Sequence, residues 1–253
     1  MKVIRERVLN REIMLGIGIN LGSSITVEMV GAAGFDWTWI DYEHGAGNDS
    51  QLLTQIQVAS LGDAPPVVRI AWNEAPRFKR VLDLGASGIM VPYVNTREEA
   101  VLAAKSMRYP PEGIRGVAMS PRACGYGRDF DDYYASANNN LLTVVQIETE
   151  EAVGNADDIA AVTGVDVLFV GPLDLSVNMD MVRQFDNPTY VEALKKVATA
   201  CKRHKKAAGI LVPKQDLLPK WFDMGYTFFV VGSDSAIIAN GLANLKSFYD
   251  DYK

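Results

Sequence analysis

The sequence predicts a (β/α)8 TIM barrel that forms a single domain over residues 1–253, and three observations support this fold class. Eight short apolar runs alternate with segments of helical periodicity, a pattern typical of strands connected by helices. The runs are almost continuously hydrophobic, as expected of parallel strands buried on both faces. One barrel commonly contains about 250 residues, and this chain contains 253. A doubly wound open sheet is the alternative, but eight repeats in this length favour the barrel.

The predicted strands are apolar and rich in β-branched residues. In chain order they are MLGIGIN (14–20), DWTWID (36–41), PPVVRI (65–70), SGIMVP (87–92), LTVVQIE (142–148), DVLFVG (166–171), AAGILV (207–212) and TFFVVG (227–232). Because Trp37 and Trp39 lie inside the second strand, we expect them to pack against the surrounding helices.

The segments between the strands show the period of amphipathic helices. In 188–204, Val191, Leu194 and Val197 recur at the 3.6-residue period, and Asn187-Pro188 supplies a cap and a first helical residue. The other helices are predicted at 24–33, 50–61, 76–84, 96–107, 150–162, 215–224 and, as an apolar C-terminal helix, 235–249.

Residues 109–140 interrupt this rhythm between the fourth helix and the fifth strand. The segment is rich in Gly, Tyr, Asp and Asn. Loops of this length in a compact domain are usually functional or disordered. A surface excursion or a subunit contact is the alternative explanation.

The composition excludes several classes of protein. Hydrophobic residues make up 48% and charged residues 22%, as in a typical globular domain. The net charge of −6 argues against nucleic acid as a partner, because an acidic surface repels phosphate groups. Charges throughout the first dozen residues fit neither a signal peptide nor a membrane span, so we expect a cytoplasmic protein without a membrane partner. Cys124 and Cys201 are predicted to be free thiols.

Polar side chains gather where the predicted strands end, which is the active face of such barrels. Solvent exposure at the rim would explain any one of them, but convergence on one face favours a site. They are Asp41 and His44 after the second strand, Arg69 at the third, Gln146 and Glu148 at the fifth, and Asp174 after the sixth.

Glu148 and Asp174 follow adjacent strands, so their carboxylates can approach each other closely. Hard oxygen ligands without cysteine suit Mg²⁺ or Mn²⁺ rather than structural zinc. The alternatives are a water-separated pair, helix capping by Asp174, or the two carboxylates of a glycosidase. We rank the metal above the glycosidase.

His44 and Arg69 are the other candidates for chemistry. His44 is a candidate general base whose tautomer a carboxylate could fix, and a simple rim hydrogen bond is the alternative. Arg69 emerges from a buried strand and needs an anionic partner, either a substrate or a carboxylate such as Glu43 or Asp83. No lysine ends a strand, which argues against a Schiff-base mechanism.

Six ordered segments resemble the HpcH/HpaI family of class II, metal-dependent aldolases, which belongs to the phosphoenolpyruvate/pyruvate barrel superfamily. The similarity extends from near residue 14 to near residue 240. The segments are FDWTWIDYEHG (35–45), PPVVRIAWN (65–73), LDLGASGIMVPYV (82–94), RYPPEGIRGV (108–117), VVQIET (144–149) and VGPLDLS (170–176).

The resemblance implies a role for each candidate residue. Glu148 and Asp174 would hold a divalent metal, Mg²⁺ or Mn²⁺, with Co²⁺ as a further candidate. Arg69 would stabilise the enolate, and His44 would be the acid–base residue, oriented by Asp41 and Asp83. The pyruvate end of the substrate would contact Arg69, Gln146, Gly171, Pro172, Leu173 and Asp174.

The implied activity is cleavage of a 2-oxo-4-hydroxy acid to pyruvate and an aldehyde through a pyruvate enolate held on the metal, in a homohexamer. Two features depart from the family pattern. Leu173 replaces a smaller residue. Arg122 resembles a residue that reaches the aldehyde end from another subunit, but its neighbours in the sequence differ from those of the family. One alternative is a citryl- or malyl-coenzyme A-type lyase, which the acidic balance disfavours. The other is a catalytically silent barrel that acts as a binding or assembly protein.

Overall fold

The computed structural model describes residues 3–250 and 252, and its centre is a closed barrel of eight parallel strands. Each strand pairs with the next, and the last pairs with the first, which confirms the predicted fold class. The strands are β1 (Met14–Ile19), β2 (Trp37–Asp41), β3 (Pro66–Arg69), β4 (Gly88–Val91), β5 (Leu142–Ile147), β6 (Val167–Val170), β7 (Ala207–Leu211) and β8 (Tyr226–Ser233).

Helices connect the strands, and most lie where the sequence predicts them. Asn48 and Thr96 each form a capping box at the start of a helix, with Gln51 and Glu99 as the reciprocal partners. The helices are α1 (Ile4–Leu9), α2 (Ser24–Ala32), α3 (Asp49–Ala59), α4 (Ala75–Asp83), α5 (Arg97–Ser106), α6 (Phe130–Asn140), α7 (Glu150–Gly154), α8 (Ala156–Ala160), α9 (Pro172–Asn178), α10 (Pro188–Arg203), α11 (Leu218–Asp223) and α12 (Asp234–Asp250).

Among the described residues, no helix combines the length and the apolar character that a membrane crossing requires.

The segment between α5 and β5 contains a short 3-10 helix at Arg122–Gly127 and then α6. Its sequence did not predict α6, because only Ala137 of that helix is buried and little apolar periodicity remains. Arg115 attaches the segment to α4, where Asp83 Oδ1 accepts from Nη2 at 2.9 Å. Within the segment, its guanidinium lies 4.4 Å from the ring centre of Tyr109 and 5.5 Å from that of Tyr133. Cation–π contacts of this kind stabilise a buried arginine.

Trp37 and Trp39 point into the barrel, so the expectation that they pack against helices is wrong. The Trp37 ring stacks on Phe228 of β8 at a centroid distance of 4.1 Å. Side chains alternate between the two faces of a strand, so both tryptophans share the face of Asp41. The neighbouring strand leaves room for this packing at Gly16, where a Cβ would lie 2.4 Å from the indole of Trp37.

The first helix closes the N-terminal end of the barrel. Ile4 and Val8 of α1 are almost completely buried and pack against interior side chains that include Met14 and Leu142, at the starts of their strands. Arg5 of the same helix forms an ion pair with the buried Asp166 at 2.9 Å. Helix α1 therefore covers the end of the barrel where the strands begin.

Candidate active site

The C-terminal ends of the strands surround a cavity of about 580 Å³. Of the residues predicted for the site, all except Asp83 line it: Asp41, His44, Arg69, Gln146, Glu148, Gly171, Pro172, Leu173 and Asp174. A slightly larger groove of about 620 Å³ lies on the outer side, between α7, α8 and α10. It contains none of the residues at the strand ends, so the barrel mouth is the candidate active site.

Asp41 holds Arg69 through two parallel hydrogen bonds. Nε and Nη2 of the guanidinium donate to Oδ1 and Oδ2 of the carboxylate at 2.9 and 2.8 Å. Asp41 Oδ1 also accepts the backbone N–H groups of Glu43 and His44 at 3.1 and 3.2 Å. Although burial opposes the charged carboxylate, the hydrogen bonds from Arg69 hold the pKa of Asp41 below its usual value. Asp41 is therefore a fixed anion that orients Arg69 and the turn after β2.

The remaining contacts of Arg69 complete its fixation. Nη1 lies 3.0 Å from Oε2 of Glu43. The guanidinium carbon lies 4.5 Å from the ring centre of Trp39, so an indole face covers one side of the cation. Each terminal nitrogen carries two N–H groups, which leaves one on each without a role in these contacts. Arg69 is thus a preorganised donor at the base of the cavity.

Sequence reasoning missed three residues that support this site. Asn20, directly after β1, donates through Nδ2 to Asp41 Oδ2 at 2.8 Å, and its backbone N–H donates to Asp234 Oδ1 at 2.8 Å. Trp39 could have been found from side-chain alternation, since it stands two positions before Asp41. Asn20 ends a predicted strand, which is the same signal that identified Glu148.

The third missed residue is Tyr93, which contributes a backbone group. Its N–H donates to Glu148 Oε2 at 3.0 Å, and its φ of 57° lies in the left-handed region that non-glycine residues seldom adopt. Glu148 Oε1 accepts from Nε2 of Gln146 at 2.9 Å. Both oxygens of this carboxylate therefore accept hydrogen bonds from neutral donors. No sequence pattern predicts the contribution of a main-chain N–H group.

Glu148 is buried, with 4% of its surface exposed. Burial and the nearby charge of Asp174 raise its pKa to about 7. Burial likewise raises the pKa of Glu43 above its usual value, although Arg69 opposes the shift. Four carboxylates, those of Asp41, Glu43, Glu148 and Asp174, thus share this site with one guanidinium. This excess of negative charge is what a bound cation would relieve.

The donor set fits a hard divalent cation. Among the described residues, no group of three or more His, Cys, Asp or Glu side chains is arranged to hold a metal. The candidate ligands are therefore a pair, the carboxylates of Glu148 and Asp174, which line the cavity. Magnesium is usually bound in this way, by one or two carboxylates with water and substrate oxygens filling the other positions. The buried Oε1 of Gln146 has no hydrogen-bond partner among the described residues, which leaves a neutral acceptor in the cavity.

His44 lies at the mouth with 70% of its side chain exposed, and its Nε2 is 3.9 Å from Glu43 Oε2. The structure does not bring Asp83 to this imidazole. Asp83 is the last residue of α4, on the outside of the barrel, and its Oδ1 accepts from Arg115 Nη2 at 2.9 Å. Asp41 likewise bonds the backbone of His44 rather than its ring. Glu43 is the carboxylate beside His44.

Gly171 joins β6 to α9 in close contact with Glu148. A Cβ at this position would lie 2.5 Å from Glu148 Oε1, a distance that side-chain carbons do not adopt. The following residues, Pro172, Leu173 and Asp174, line the cavity as predicted, and 52% of Leu173 is exposed. Arg122 lies elsewhere in this chain, where it donates to the Leu84 carbonyl at 2.9 Å and to Ser60 Oγ at 3.1 Å.

Known proteins resemble this chain over most of its length. The family model of the HpcH/HpaI aldolase/citrate lyase family matches residues 16–241. A 5-keto-4-deoxy-D-glucarate aldolase of Salmonella arizonae is 39% identical over 93% of this chain and 91% of its own length. The same enzyme of Escherichia coli K12 is 38% identical over the same shares.

Solved structures give the same result. An HpcH/HpaI aldolase/citrate lyase family protein from Burkholderia cenocepacia J2315 superposes with a TM-score of 0.92, at 30% identity and full coverage of both chains. The citrate synthase SbnG superposes with a TM-score of 0.88, at 28% identity over 99% of this chain and 98% of the other. The predicted enzyme class, a metal-dependent aldolase, is confirmed by these relatives. The chain belongs to the HpcH/HpaI aldolase/citrate lyase family.

Proposed function

We propose that the barrel mouth cleaves a 2-oxo-4-hydroxy acid to pyruvate and an aldehyde, and catalyses the reverse addition. The observation that carries this proposal is that the fixed guanidinium of Arg69 lines the same cavity as the carboxylates of Glu148 and Asp174, whose negative charge is not compensated. In the cleavage, the hydroxyl loses its proton, the carbon–carbon bond breaks, and the electron pair stays on the pyruvate fragment. That fragment then takes up a proton at its methyl carbon.

Glu148 and Asp174 would hold the divalent metal, and Mg²⁺ or Mn²⁺ is the proposed ion because the donors are hard oxygens. When bound, the metal supplies a Lewis acid that stabilises negative charge developing on the 2-oxo acid. Gln146 keeps Glu148 in place through Nε2 and offers Oε1 to the substrate or its water. Gly171 allows the chain to pass close to Glu148.

Arg69 stabilises the negative charge on the pyruvate oxygens. Its two contacts with Asp41, one with Glu43 and the stacking on Trp39 fix its position before substrate binds. Donors held in place in this way need no reorganisation during the reaction, which is the main source of electrostatic catalysis.

His44 removes and returns the proton of the substrate hydroxyl. Its imidazole is exposed at the mouth beside Glu43, where it can reach a substrate that occupies the cavity. The adjacent carboxylate of Glu43 would orient the ring.

A coenzyme A thioester is a less suitable substrate for this cavity. Such a ligand carries several phosphate charges that need basic partners at the entrance. Among the described residues that line the cavity, Arg69 is the only arginine or lysine, and it is already paired with Asp41. The aldolase reaction therefore fits better than a citryl- or malyl-coenzyme A lyase.

We also propose that the protein is a homo-oligomer, with a hexamer as the expected form. The helix α12 is exposed from residue 236 onward, and it displays large apolar side chains to solvent. These are Ile237, Ile238, Leu242, Leu245, Phe248 and Tyr249. Exposed apolar surface of this extent is typical of a protein–protein contact, and a second copy of this chain is the proposed occupant.

The test of the proposed reaction is exchange of the pyruvate methyl protons with deuterium, followed by NMR with added Mn²⁺ or Mg²⁺ and with a chelator. We expect exchange that depends on the metal and that is lost in Glu148→Ala.

His44→Ala should slow aldol turnover while metal affinity stays near that of the wild type, and His204→Ala is the control. Absence of metal-dependent exchange would contradict the proposed function, and equal loss of metal by His44→Ala would contradict its assigned role.

A further inference from the structure

Asn20 lies between two buried carboxylates at the end of β1. Its side-chain Nδ2 donates to Asp41 Oδ2, and its backbone N–H donates to Oδ1 of Asp234, the first residue of α12, both at 2.8 Å. Asp41 is 2% exposed and Asp234 is 5% exposed, while Asn20 itself lines the cavity. One half-buried asparagine therefore connects the carboxylate that holds Arg69 to the junction of β8 and α12.

The backbone of Asn20 is fixed independently of its side chain. Asp234 accepts its N–H, and its carbonyl oxygen accepts the N–H of Ala46 at 2.8 Å. Ala46 belongs to the turn after β2 that also carries His44. Asp234 is itself held by the hydroxyl of Thr26, which donates to its Oδ2 at 2.9 Å. The amide group of Asn20 thus extends from a main chain that the turn after β2 and the start of α12 hold in place.

Among the described residues, Asn20 is the only neutral side chain that donates to Asp41. The other donors to this carboxylate are Nε and Nη2 of Arg69 and the backbone N–H groups of Glu43 and His44. Both backbone groups donate to Oδ1, so Oδ2 is shared by Arg69 and Asn20. Without the amide, Oδ2 would be held only by the guanidinium that it orients.

The charge of Asp41 determines how the amide of Asn20 is oriented. Although burial opposes the charged form, the hydrogen bonds from Arg69 hold the pKa of Asp41 below its usual value, so the carboxylate is ionised at neutral pH. An ionised carboxylate accepts hydrogen bonds and donates none, so the nitrogen of the amide faces Asp41. Gly18 leaves room for the amide oxygen, since a Cβ there would lie 3.3 Å from Asn20 Oδ1. An oxygen in place of Nδ2 would meet Asp41 as a second acceptor.

From these contacts, and on the basis of the proposed aldolase function, we infer that Asn20 is a positioning residue that holds Asp41 from the side of β1, so that Arg69 keeps its unused N–H groups directed to the 2-oxo acid. A preorganised donor needs a partner whose own place is fixed. Among the described residues, the hydrogen-bond partners of Asn20 do not include Glu148 or Asp174. Loss of the amide should therefore weaken binding of the 2-oxo acid and leave metal binding unchanged.

Asn20→Ala tests this role, because it removes the amide and leaves both backbone hydrogen bonds in place. With saturating Mn²⁺, we expect two quantities to fall at least about tenfold: the affinity for pyruvate, from isothermal titration calorimetry, and kcat/KM for deuterium exchange into pyruvate. The affinity for Mn²⁺, from electron paramagnetic resonance of the free ion, should stay near that of the wild type. Wild-type affinity for pyruvate in Asn20→Ala, or an equal loss of Mn²⁺ affinity, would overturn the inference.

Asn138→Ala is the matched control. Nδ2 of Asn138 also donates to a carboxylate, that of Glu112 at 3.1 Å, but this asparagine does not line the cavity. The variant should keep the wild-type affinities for pyruvate and Mn²⁺. A loss of pyruvate affinity as large as that in Asn20→Ala would show that the effect is not specific to Asp41.

Asn20→Asp distinguishes a hydrogen-bond donor from a side chain that only fills space. The two side chains have nearly the same shape, but a carboxyl group can donate to Asp41 only while it carries a proton. Two carboxylates in contact do not readily ionise together, so one of them retains a proton to a higher pH than usual. The other charged or titratable groups around this position are the same in both proteins: Arg69, Glu43, His44 and Asp234.

The kcat/KM of Asn20→Asp relative to that of the wild type should therefore rise as the pH falls from about 8 to about 6. The same ratio for Asn20→Ala should not rise, because alanine has no proton to donate. A ratio for Asn20→Asp that does not depend on pH would contradict the role of Asn20 as a donor.

Calorimetry separates this inference from the proposed function. Exchange in the wild type together with unchanged pyruvate affinity in Asn20→Ala refutes only the role of Asn20. Absence of exchange in the wild type refutes the enolate chemistry, while a loss of pyruvate affinity in Asn20→Ala would still support the positioning of Arg69.

Discussion

At the scale of single residues, the burial of Glu148 changes the pKa of its carboxyl group. Its carboxylate is held by Tyr93 and Gln146, neither of which carries a charge, while Asp174 adds a second negative charge nearby. The resulting pKa of about 7 means that the metal-free protein binds a proton here under conditions where an exposed glutamate would have lost it. A divalent cation must displace that proton, so metal affinity is coupled to pH.

This pKa predicts how stability changes with pH in the metal-free protein. The folded state retains a proton on Glu148 between the ordinary value of 4.5 and the raised value of about 7, so the free energy of unfolding falls as the pH rises through this window. The contribution of this group is on the order of 3 kcal/mol. Urea unfolding with a chelator, at about pH 5 and about pH 8, should show that Glu148→Gln loses this part of the decrease.

The exposed Glu150, two residues further along the chain, is the control for that measurement. Glu150→Gln should keep the decrease of the wild-type protein. If Glu148→Gln and the wild type lose stability equally between the two pH values, the raised pKa is not the cause.

The sequence identified the charged members of the site but not the groups that hold them. Asp41, Arg69 and Glu148 stand at strand ends, and Asp174 lies in the first turn of α9, shortly after β6. A charge at or soon after the end of an apolar run is visible in a sequence. The N–H of Tyr93 is invisible there, because every residue has a backbone N–H and only the fold decides where it points. Asp83 does not lie beside His44 of the same chain, because its side chain pairs with the buried Arg115 on the outer side of the barrel.

At the scale of elements, the junction of β6 and α9 lies against Glu148 of the proposed metal site. Gly171 passes so close to Glu148 that a methyl group would lie 2.5 Å from Oε1. The carboxylate cannot easily yield, because Tyr93 and Gln146 hold both of its oxygens. The shape of this junction therefore depends on the absence of a side chain at one position.

We predict that Gly171→Ala lowers Mn²⁺ affinity at least about tenfold, because displaced ligands lose their geometry. The cost in folding free energy should be modest, roughly 1–3 kcal/mol, since the junction can move outward. Electron paramagnetic resonance of free Mn²⁺ measures the affinity. Gly154→Ala is the matched control, because a Cβ there meets nothing within 4 Å. Unchanged affinity in Gly171→Ala would show that the close approach is unimportant.

The elements themselves were predictable to different degrees. All eight strands were predicted because parallel strands buried on both faces leave continuous apolar runs. The helices α1 and α9 were missed because six or seven residues are too few to establish a period. The helix predicted at 150–162 is divided into α7 and α8, and the division falls at Asn155, which belongs to both helix ends as a cap.

At the scale of the whole molecule, the last helix, α12, leaves a large apolar surface exposed to solvent. The main contacts of α12 with the barrel strands are made with β1 and β8, next to its first residues. Beyond them its apolar side chains face solvent. Its first turns also line the cavity, so a partner that covers α12 would lie near the mouth.

The double substitution Leu242→Glu with Leu245→Glu should therefore dissociate the proposed oligomer, since both side chains are more than 60% exposed and neither lines the cavity. Multi-angle light scattering should show a lower mass than that of the wild type. Asn244→Glu, an exposed polar position between them, adds negative charge without removing apolar surface. A wild-type protein that is monomeric, or a double variant that keeps the wild-type mass, would contradict the assembly through α12.

The stacking of Trp39 on Arg69 has an optical consequence. The protein has four tryptophans, and among the described residues that line the cavity Trp39 is the only one. An indole 4.5 Å from a guanidinium carbon emits in the field of that charge, and a bound 2-oxo acid would change this field by pairing with the cation. The emission of the unlabelled protein should therefore respond to pyruvate with a saturable change that Trp39→Phe removes and Trp72→Phe retains. Such a change would report binding of the 2-oxo acid, the first step of the proposed reaction, without a label.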